Sequence, residues 1–361
     1  MKNVFNVNAL PATFGDCLLV EYGDDKKLNR ILIDGGTGGT KASIKKIFNL
    51  LPEDEKELEL LVVTHIDQDH IEGILSILEE KALPFKIKSI WYNGYLHLPS
   101  DDTESFGPAQ GERLTAAILR HSLKWNTEFN EKAVVVPDNG ELPVVILGGG
   151  MKLTLLSPTN EKLRLLRPVW EKELEDNGLK AGFGYNMEDE GEADDTEKFG
   201  KGFFNIEELA ANPFKEDSRE GNGSSIAFKA EYCGKSVLFC ADAHPSVLIE
   251  SLDKLGKEVH EFDLVKVSHH GSHSNTGPDF LKKISSARFL VSTNGSRYKH
   301  PHAEAIAQII VSDKNHKEII FNYKTEFNSM WDSKILKDKH NYKAIYSENG
   351  CNSLTELFPN D

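Results

Sequence analysis

Long apolar runs are missing from this 361-residue chain, and cysteine and positive charge are scarce. No stretch approaches the roughly 18 consecutive apolar residues that a membrane-crossing helix needs, which excludes such a helix on length. The opening residues, MKNVFNVNALPATFGD, lack the apolar core of a secretory signal and read instead as a first strand. The four cysteines (Cys17, Cys233, Cys240 and Cys351) are scattered with no CxxC pair, so they read as reduced, mostly buried thiols. These absences together predict a cytoplasmic location. Lys and Arg number 42 against 57 Asp and Glu, a net charge of −15. That imbalance argues against binding nucleic acid or an anionic membrane over the whole surface. It leaves room for a phosphate substrate at one local site, because bound cations reverse the local sign.

What is present is the alternation of an α/β protein. Short apolar, β-branched runs predict strands at 17–22, 30–34, 58–64, 87–92, 133–136, 144–147 and 152–156, and again at 225–231, 236–240, 264–268, 288–292 and 318–321. Helical periods lie between them at 43–51, 71–78, 246–255 and 303–311. Hairpin-like pairs (17–22 with 30–34, and 225–231 with 236–240) favour mixed or antiparallel sheets over a doubly wound parallel one. Two polar stretches break the rhythm, 97–131 and 158–222, with helices expected at 113–123 and 161–176. The second holds a Gly- and acid-rich loop that reads as a solvated insertion or as a lid. No repeat and no low-complexity linker divides the chain. The expectation is one catalytic domain over 1–322 with insertions at about 97–131 and 158–222, followed by a 323–361 extension packed on it.

The chemistry gathers where apolar strands end. After Val62-Val63-Thr64, the segment His65-Ile66-Asp67-Gln68-Asp69-His70 places two imidazoles and two carboxylates within six residues. Divalent cations favour such a mixed nitrogen and oxygen set. Four further strands also end in polar groups. They run into Asp34 of IDGG, into Asp242 of FCADAH, into His269 and His270 of SHHGSH, and into Asn294, Arg297, Lys299, His300 and His302 of TNGSRYKHPH.

In order, GDCLLVEYG, ILIDGG, THIDQDHIEG, NGSSIAF, LFCADA, VKVSHHGS and STNGSRYKHPH resemble the metallo-β-lactamase superfamily. They are most similar to its competence-type branch, whose hydrolase domain is fused to the bacterial DNA-uptake channel in its better-known members. The resemblance spans about residues 3–312 and implies an αββα sandwich with a metal site at one edge between two sheets. It implies that His65, Asp67, Asp69, His70, Asp242, His269 and His270 surround two divalent ions, Zn²⁺ or Mn²⁺, with Asp242 bridging and Asp34 supporting the metal loop. His65 and Asp67 are assigned to one ion, Asp69 and His70 to the other. Two departures stand out. The family's Gly-Asp at the bridging position is Ala241-Asp242 here, and the superfamily histidine between the first motif and the bridging Asp has no match. His97 and His121 are poor substitutes, and Asn222 and Ser225 occupy the branch's N-x-x-S.

Two such ions lower the pKa of bound water to about 7 and clamp a phosphoryl or carbonyl oxygen. The expected activity is therefore metal-dependent hydrolysis, foremost of a phosphodiester, including short or single-stranded nucleic acid. Asp69, His270 and His302 are the expected catalytic residues, with His302 as general acid. Asn294, Arg297, Lys299 and His300 are the expected substrate contacts, Arg297 and Lys299 neutralising a phosphate. Hydrolysis of a small ester, lactone or amide, and a binding or regulatory role with a vestigial metal site, are the alternatives. No membrane partner is expected, and the oligomeric state is open.

Overall fold

A computed structural model of the chain describes residues 2–99, 109–176, 205–348 and 350–359; the acidic loop 187–198 lies outside them. Two mixed sheets face each other. The six-stranded sheet runs, edge to edge, through Ser353–Glu356, Asn3–Ala9, Leu18–Asp24, Leu28–Ile33, Leu60–Val62 and Ile90–Trp91. The eight-stranded sheet runs through Tyr342–Tyr346, Lys317–Phe321, Arg288–Val291, Leu264–Lys266, Lys235–Phe239, Ala227–Tyr232, Lys152–Ser157 and Val144–Ile146.

Side-chain alternation explains the layers. Leu18, Val20, Ile31, Ile33, Leu60 and Val62 point into the core between the sheets. Leu19, Leu32 and Leu61, one residue out of phase, face a second core under helices Lys41–Asn49, Gln68–Leu78, Ala109–Arg120 and Asn160–Asp176. Helices Pro245–Lys254, Pro278–Lys283 and Ala303–Val311 bury their apolar residues with the second sheet. The architecture is an α/β αββα sandwich. No helix among the described residues is long and apolar enough to cross a membrane.

Sheet direction positions the site. The strands 28–33, 60–62 and 90–91 are parallel, as are 235–239, 264–266 and 288–291. Their carboxyl ends therefore emerge at a common edge within each sheet, which is where loops in open sheets collect functional groups. Asp34, His65, Asp242, His269 and Asn294 all follow directly from these ends.

Three local expectations need correction. Residues 133–136 are apolar but form no strand. Val134 is clamped by the Asn93 side chain, which donates Nδ2–H to its carbonyl (2.9 Å) and accepts its N–H (2.8 Å), and Val136 makes one isolated bridge, to Thr159. The expected 87–92 strand splits into Lys86–Ile87 and Ile90–Trp91, each on a different sheet. Beyond residue 322, two unexpected strands, 342–346 and 353–356, complete one edge of each sheet, and Trp331 is fully buried.

Several strand ends are bent sharply. Asp34, Ala241, His269 and His270 all have positive φ (57°, 47°, 43° and 54°), a conformation that costs L-residues roughly 1–2 kcal/mol and suits glycine. Glycine at position 241 would adopt this bend without that cost. Ala241→Gly is expected to raise the unfolding free energy by about 0.5–1 kcal/mol in urea titrations. A loss of stability would mean that the buried Ala241 methyl contributes more than the relaxed backbone gains.

Candidate metal centre

Four imidazoles from two loops share one arrangement: each is tied through Nδ1 and turns Nε2 toward Asp242 or Asp69. His65 Nδ1 lies 3.1 Å from Thr64 Oγ1, whose hydroxyl donates to Asp34 Oδ2 (2.8 Å). His70 Nδ1–H donates to the same carboxylate oxygen at 2.8 Å. His269 Nδ1 faces Asn275 Oδ1 at 2.9 Å, and Asn275 Nδ2–H donates to the Asp217 carboxylate and to the Asp242 carbonyl, both at 3.1 Å. His270 Nδ1–H donates to the Ser292 carbonyl at 2.9 Å. Because three of these partners are carboxylate or carbonyl acceptors, the proton sits on Nδ1 of His70, His269 and His270 when they are neutral.

The free ends converge. Asp242 Oδ2 lies 3.8 Å from His65 Nε2, 3.4 Å from His70 Nε2, 3.6 Å from His269 Nε2 and 3.8 Å from His270 Nε2. Asp69 Oδ2 is 3.3 Å from His270 Nε2 and 4.0 Å from His70 Nε2. Asp67 Oδ2 is 3.9 Å from His65 Nε2. The seven residues named as ligands in the sequence thus lie around one point. One ligand atom from each of Asp16, His70, Asp242 and His270 falls within 4.8 Å of the other three.

Orphaned polar atoms test whether a cation fits. Nε2 of His65, His70 and His270, and Oδ1 of Asp242, are buried with no hydrogen-bond partner among the described residues. Leaving four such atoms unsatisfied is costly, and they are the donors that Zn²⁺ or Mn²⁺ takes. The residues fit the group.

Charge at the centre is tightly coupled. Burial pushes the Asp242 carboxyl up, but His70, His269 and His270 outweigh it and hold it well below the usual carboxylate value. Burial likewise raises Asp69, yet His70 and His270 bring it down to about 2. Burial lowers His70 and His270, and neighbouring carboxylates reverse this: Asp242 and Asp34 hold His70 well above the usual imidazole value, and Asp16 and Asp242 push His270 up to about 10. His65 goes the other way, lowered by burial and then by His70.

The remaining expected site residues stand further out. The His300 ring lies 5.1 Å from that of His269 and 6.3 Å from that of His270; burial and then His269 hold it well below the usual value. His302 is one ring beyond, 4.6 Å from His300, and its Nδ1 accepts from His273 N–H (3.0 Å). Asn294 Oδ1 accepts from Ser296 N–H and shapes the turn. Arg297 Nη1–H donates to Gln68 Oε1 at 2.6 Å, and its guanidinium lies over the rings of Phe14 and Tyr298. Lys299 N–H closes the same loop onto Gly295 O (3.0 Å).

His97 and His121 serve elsewhere, against Gly94 N and Leu78 O. Where the missing histidine was sought, Asn222 Oδ1 and Ser225 Oγ are buried and unpartnered. Sequence reasoning assigned no site role to Asp16, Asp217, Arg219 and Asn275. Asp217 and Arg219 lie at the end of the 158–222 stretch, where Arg219 Nη2 reaches Asp67 Oδ2 (3.5 Å) and Asp217 Oδ2 lies 3.6 Å from His269 Nδ1. Gly15-Asp16 opens the motif GDCLLVEYG, in which the apolar strand that follows is the stronger signal.

The fold is an αββα sandwich whose sheet edge carries a candidate divalent-metal site. Residues 10–157 are similar to the family model described as the metallo-beta-lactamase superfamily. No curated protein matches. Among solved structures the chain is similar to a mutant of the CmlA beta-hydroxylase (13% identity, TM-score 0.41, 99% of this chain and 54% of that one). It is also similar to the metallo-beta-lactamase fold protein YhfI from Bacillus subtilis (9%, 0.38, 96% and 99%) and to Zn²⁺-bound PqqB from Methylobacterium extorquens (12%, 0.38, 94% and 87%).

The shifts fix a pH dependence. Without a cation, His70 and His270 have raised values, so their contribution to stability is full below 6.5 and lost as pH rises, through about 10 for His270. Asp69 is depressed, so its contribution is full above 3.8 and lost as pH falls toward about 2. A cation must displace the imidazole protons. Zn²⁺ or Mn²⁺ affinity is therefore expected to rise between about pH 6 and 9, with protons released, as calorimetry in buffers of different ionisation enthalpy would measure. Binding that is flat with pH and releases no proton would remove both histidines from the ligand set.

Proposed function

We propose that this chain is a metal-dependent phosphodiesterase of the competence-type branch, acting on small or single-stranded phosphodiesters. The observation that carries the reading is the pairing of an anionic, imidazole-rich floor with two guanidinium groups anchored on its metal loop. Arg219 reaches Asp67 and Arg297 reaches Gln68, from segments far apart in sequence. Arg219 is 59% exposed and so retains donors for an incoming anion. Planar forks of this kind suit phosphate oxygens better than a neutral ester.

When bound, one or two divalent cations supply Lewis acidity and a water molecule with a lowered pKa. The chain's own residues do the rest. His65, His70, His269, His270, Asp69 and Asp242 hold the cations, with Asp67 at the open side. Asp34 fixes His70 directly and His65 through Thr64. Arg219 and Arg297, with Lys299, orient the diester and offset its charge. Burial keeps His300 and His302 neutral, so His302 does not carry the proton that the general-acid role expected of it needs, and the pair stands beyond His269 as hydrogen-bonding groups.

The test is a panel of a chromogenic phosphodiester, a lactone and single-stranded DNA, each with Mn²⁺ or Zn²⁺. Turnover of the diester is expected, and Asp69→Ala should abolish it. Arg219→Gln and Arg297→Gln should each lower kcat/KM on the diester about 10–100-fold, the equivalent of about 1.4–2.7 kcal/mol of transition-state binding. Turnover of the lactone alone would replace the phosphodiesterase reading with that of a small-ester hydrolase. Inertness with either cation, at less than one ion per chain, would make it a binding protein.

A further inference from the structure

Lys266 and Asp16 form an ion pair sealed inside the protein, their side chains 1% and 2% exposed. They come from opposite sheets. Lys266 ends the 264–266 strand, and Asp16 lies in the loop between strands 3–9 and 18–24. Apolar residues of similar volume often replace such pairs without loss of stability, so the pair invites a role beyond holding the fold.

Its surroundings supply one. Asp16 Oδ2 takes Lys266 Nζ, while Oδ1 faces His270 Nδ1 at 3.4 Å and has no hydrogen bond among the described residues. Asp16 N–H donates to the Asp69 carbonyl (3.1 Å). Gly15 approaches that same carbonyl so closely that a Cβ would sit 1.8 Å from its oxygen. Ser292, whose carbonyl accepts from His270, is held in turn by its hydroxyl donating to Gly15 O (3.2 Å). The loop 15–16 therefore grips both Asp69 and His270. On the other side of the centre Asp34 also stands behind an imidazole, there accepting directly from His70 Nδ1–H at 2.8 Å.

We propose that Asp16 is a positioning residue for His270: its carboxylate, with its charge offset by Lys266, stands 3.4 Å behind the Nδ1–H that Ser292 O accepts and keeps Nε2 turned toward Asp69 and Asp242. The proposal rests on the reading of the centre as a cation site and is independent of the substrate. A carboxylate behind a ligating imidazole fixes its tautomer and strengthens the opposite nitrogen as a donor. Without Lys266, Asp16 would add an uncompensated charge beside Asp69 and Asp242. The salt bridge lets the carboxylate stand there.

Two variants separate this role from a structural one. Asp16→Leu with Lys266→Met removes both charges at similar volume, so the fold should melt near the wild-type temperature; Asp16→Asn keeps the shape. Calorimetry with Zn²⁺ and Mn²⁺ is expected to show affinity lowered about 10–100-fold in both, and the Co²⁺-loaded protein should show a shifted visible spectrum. Wild-type affinity in either variant would make the pair purely structural and overturn the proposal. So would Asp16→Asn costing the same factor again in a His270→Ala background, since a positioning residue loses its effect with its histidine. If the wild type itself binds neither cation, the centre is misread and the proposal falls with it; failure confined to the variants leaves the centre standing.

Discussion

Negative charge packed out of water is the constraint that the rest of this molecule answers. Asp16, Asp34, Asp69 and Asp242 are all buried within one small region, with Lys266 as the buried ammonium beside them. Two like charges about 4 Å apart repel by roughly 4 kcal/mol at an effective dielectric of 20. A cluster of this kind persists only if its carboxylates are hydrogen-bonded, neutralised or bound to cations. Each carboxylate here has its own answer. Asp34 takes the Thr64 N–H, the Thr64 hydroxyl and His70, and Asp16 takes Lys266. Asp69 and Asp242 are left to the imidazoles, which hold both carboxyls below their usual values.

The backbone bears part of the cost. Left-handed conformations at Asp34, Ala241, His269 and His270 fall at strand ends that deliver the site. Strained residues persist where close packing over-determines them. The packing is visible: Asp34 N–H is held by Val62 O (2.8 Å), and His269 N–H by Ala241 O (2.8 Å), tying neighbouring strand ends together. Mixed sheet topology is what makes this economical. Antiparallel pairs fill one side of each sheet, while the parallel strands of the other side bring their carboxyl ends to the shared edge.

Legibility in the sequence followed how local each signal is. His65, Asp67, Asp69 and His70 sit in one short run, so their convergence needs little knowledge of the fold. Asp242, His269 and His270 were legible because each follows an apolar strand. Asp16 was not, since Gly-Asp in a loop is also what a plain turn looks like. Lys266 ends an apolar strand, where its long side chain would ordinarily reach water; only the tertiary structure shows it turned inward. Asp217 and Arg219 lie in a polar stretch without hydrophobic period, and nothing local marks them as neighbours of His269 and Asp67. The strands 342–346 and 353–356 are short edge strands that mix polar and apolar residues, with Ser353 and Thr355 buried and Leu354 exposed, so they lack the apolar run that marks the central strands. Residues 133–136 had that run, yet side-chain hydrogen bonds from Asn93 took the place of a partner strand.

The overall charge and the proposed substrate pull in different directions. A net charge of −15 repels a polyanion approaching at random. Repulsion of that kind is screened beyond about 8–10 Å at physiological salt, so what meets the substrate is the rim rather than the whole surface. There Arg219 and Arg297 lean on the metal loop, and Phe14 and Tyr298 present aromatic rings beside the guanidinium of Arg297. A long duplex would still lay many phosphates against acidic surface outside that rim. A small or single-stranded diester would place one phosphate between the arginines and little else within reach of the bulk charge, which is the reason the proposed substrate is small.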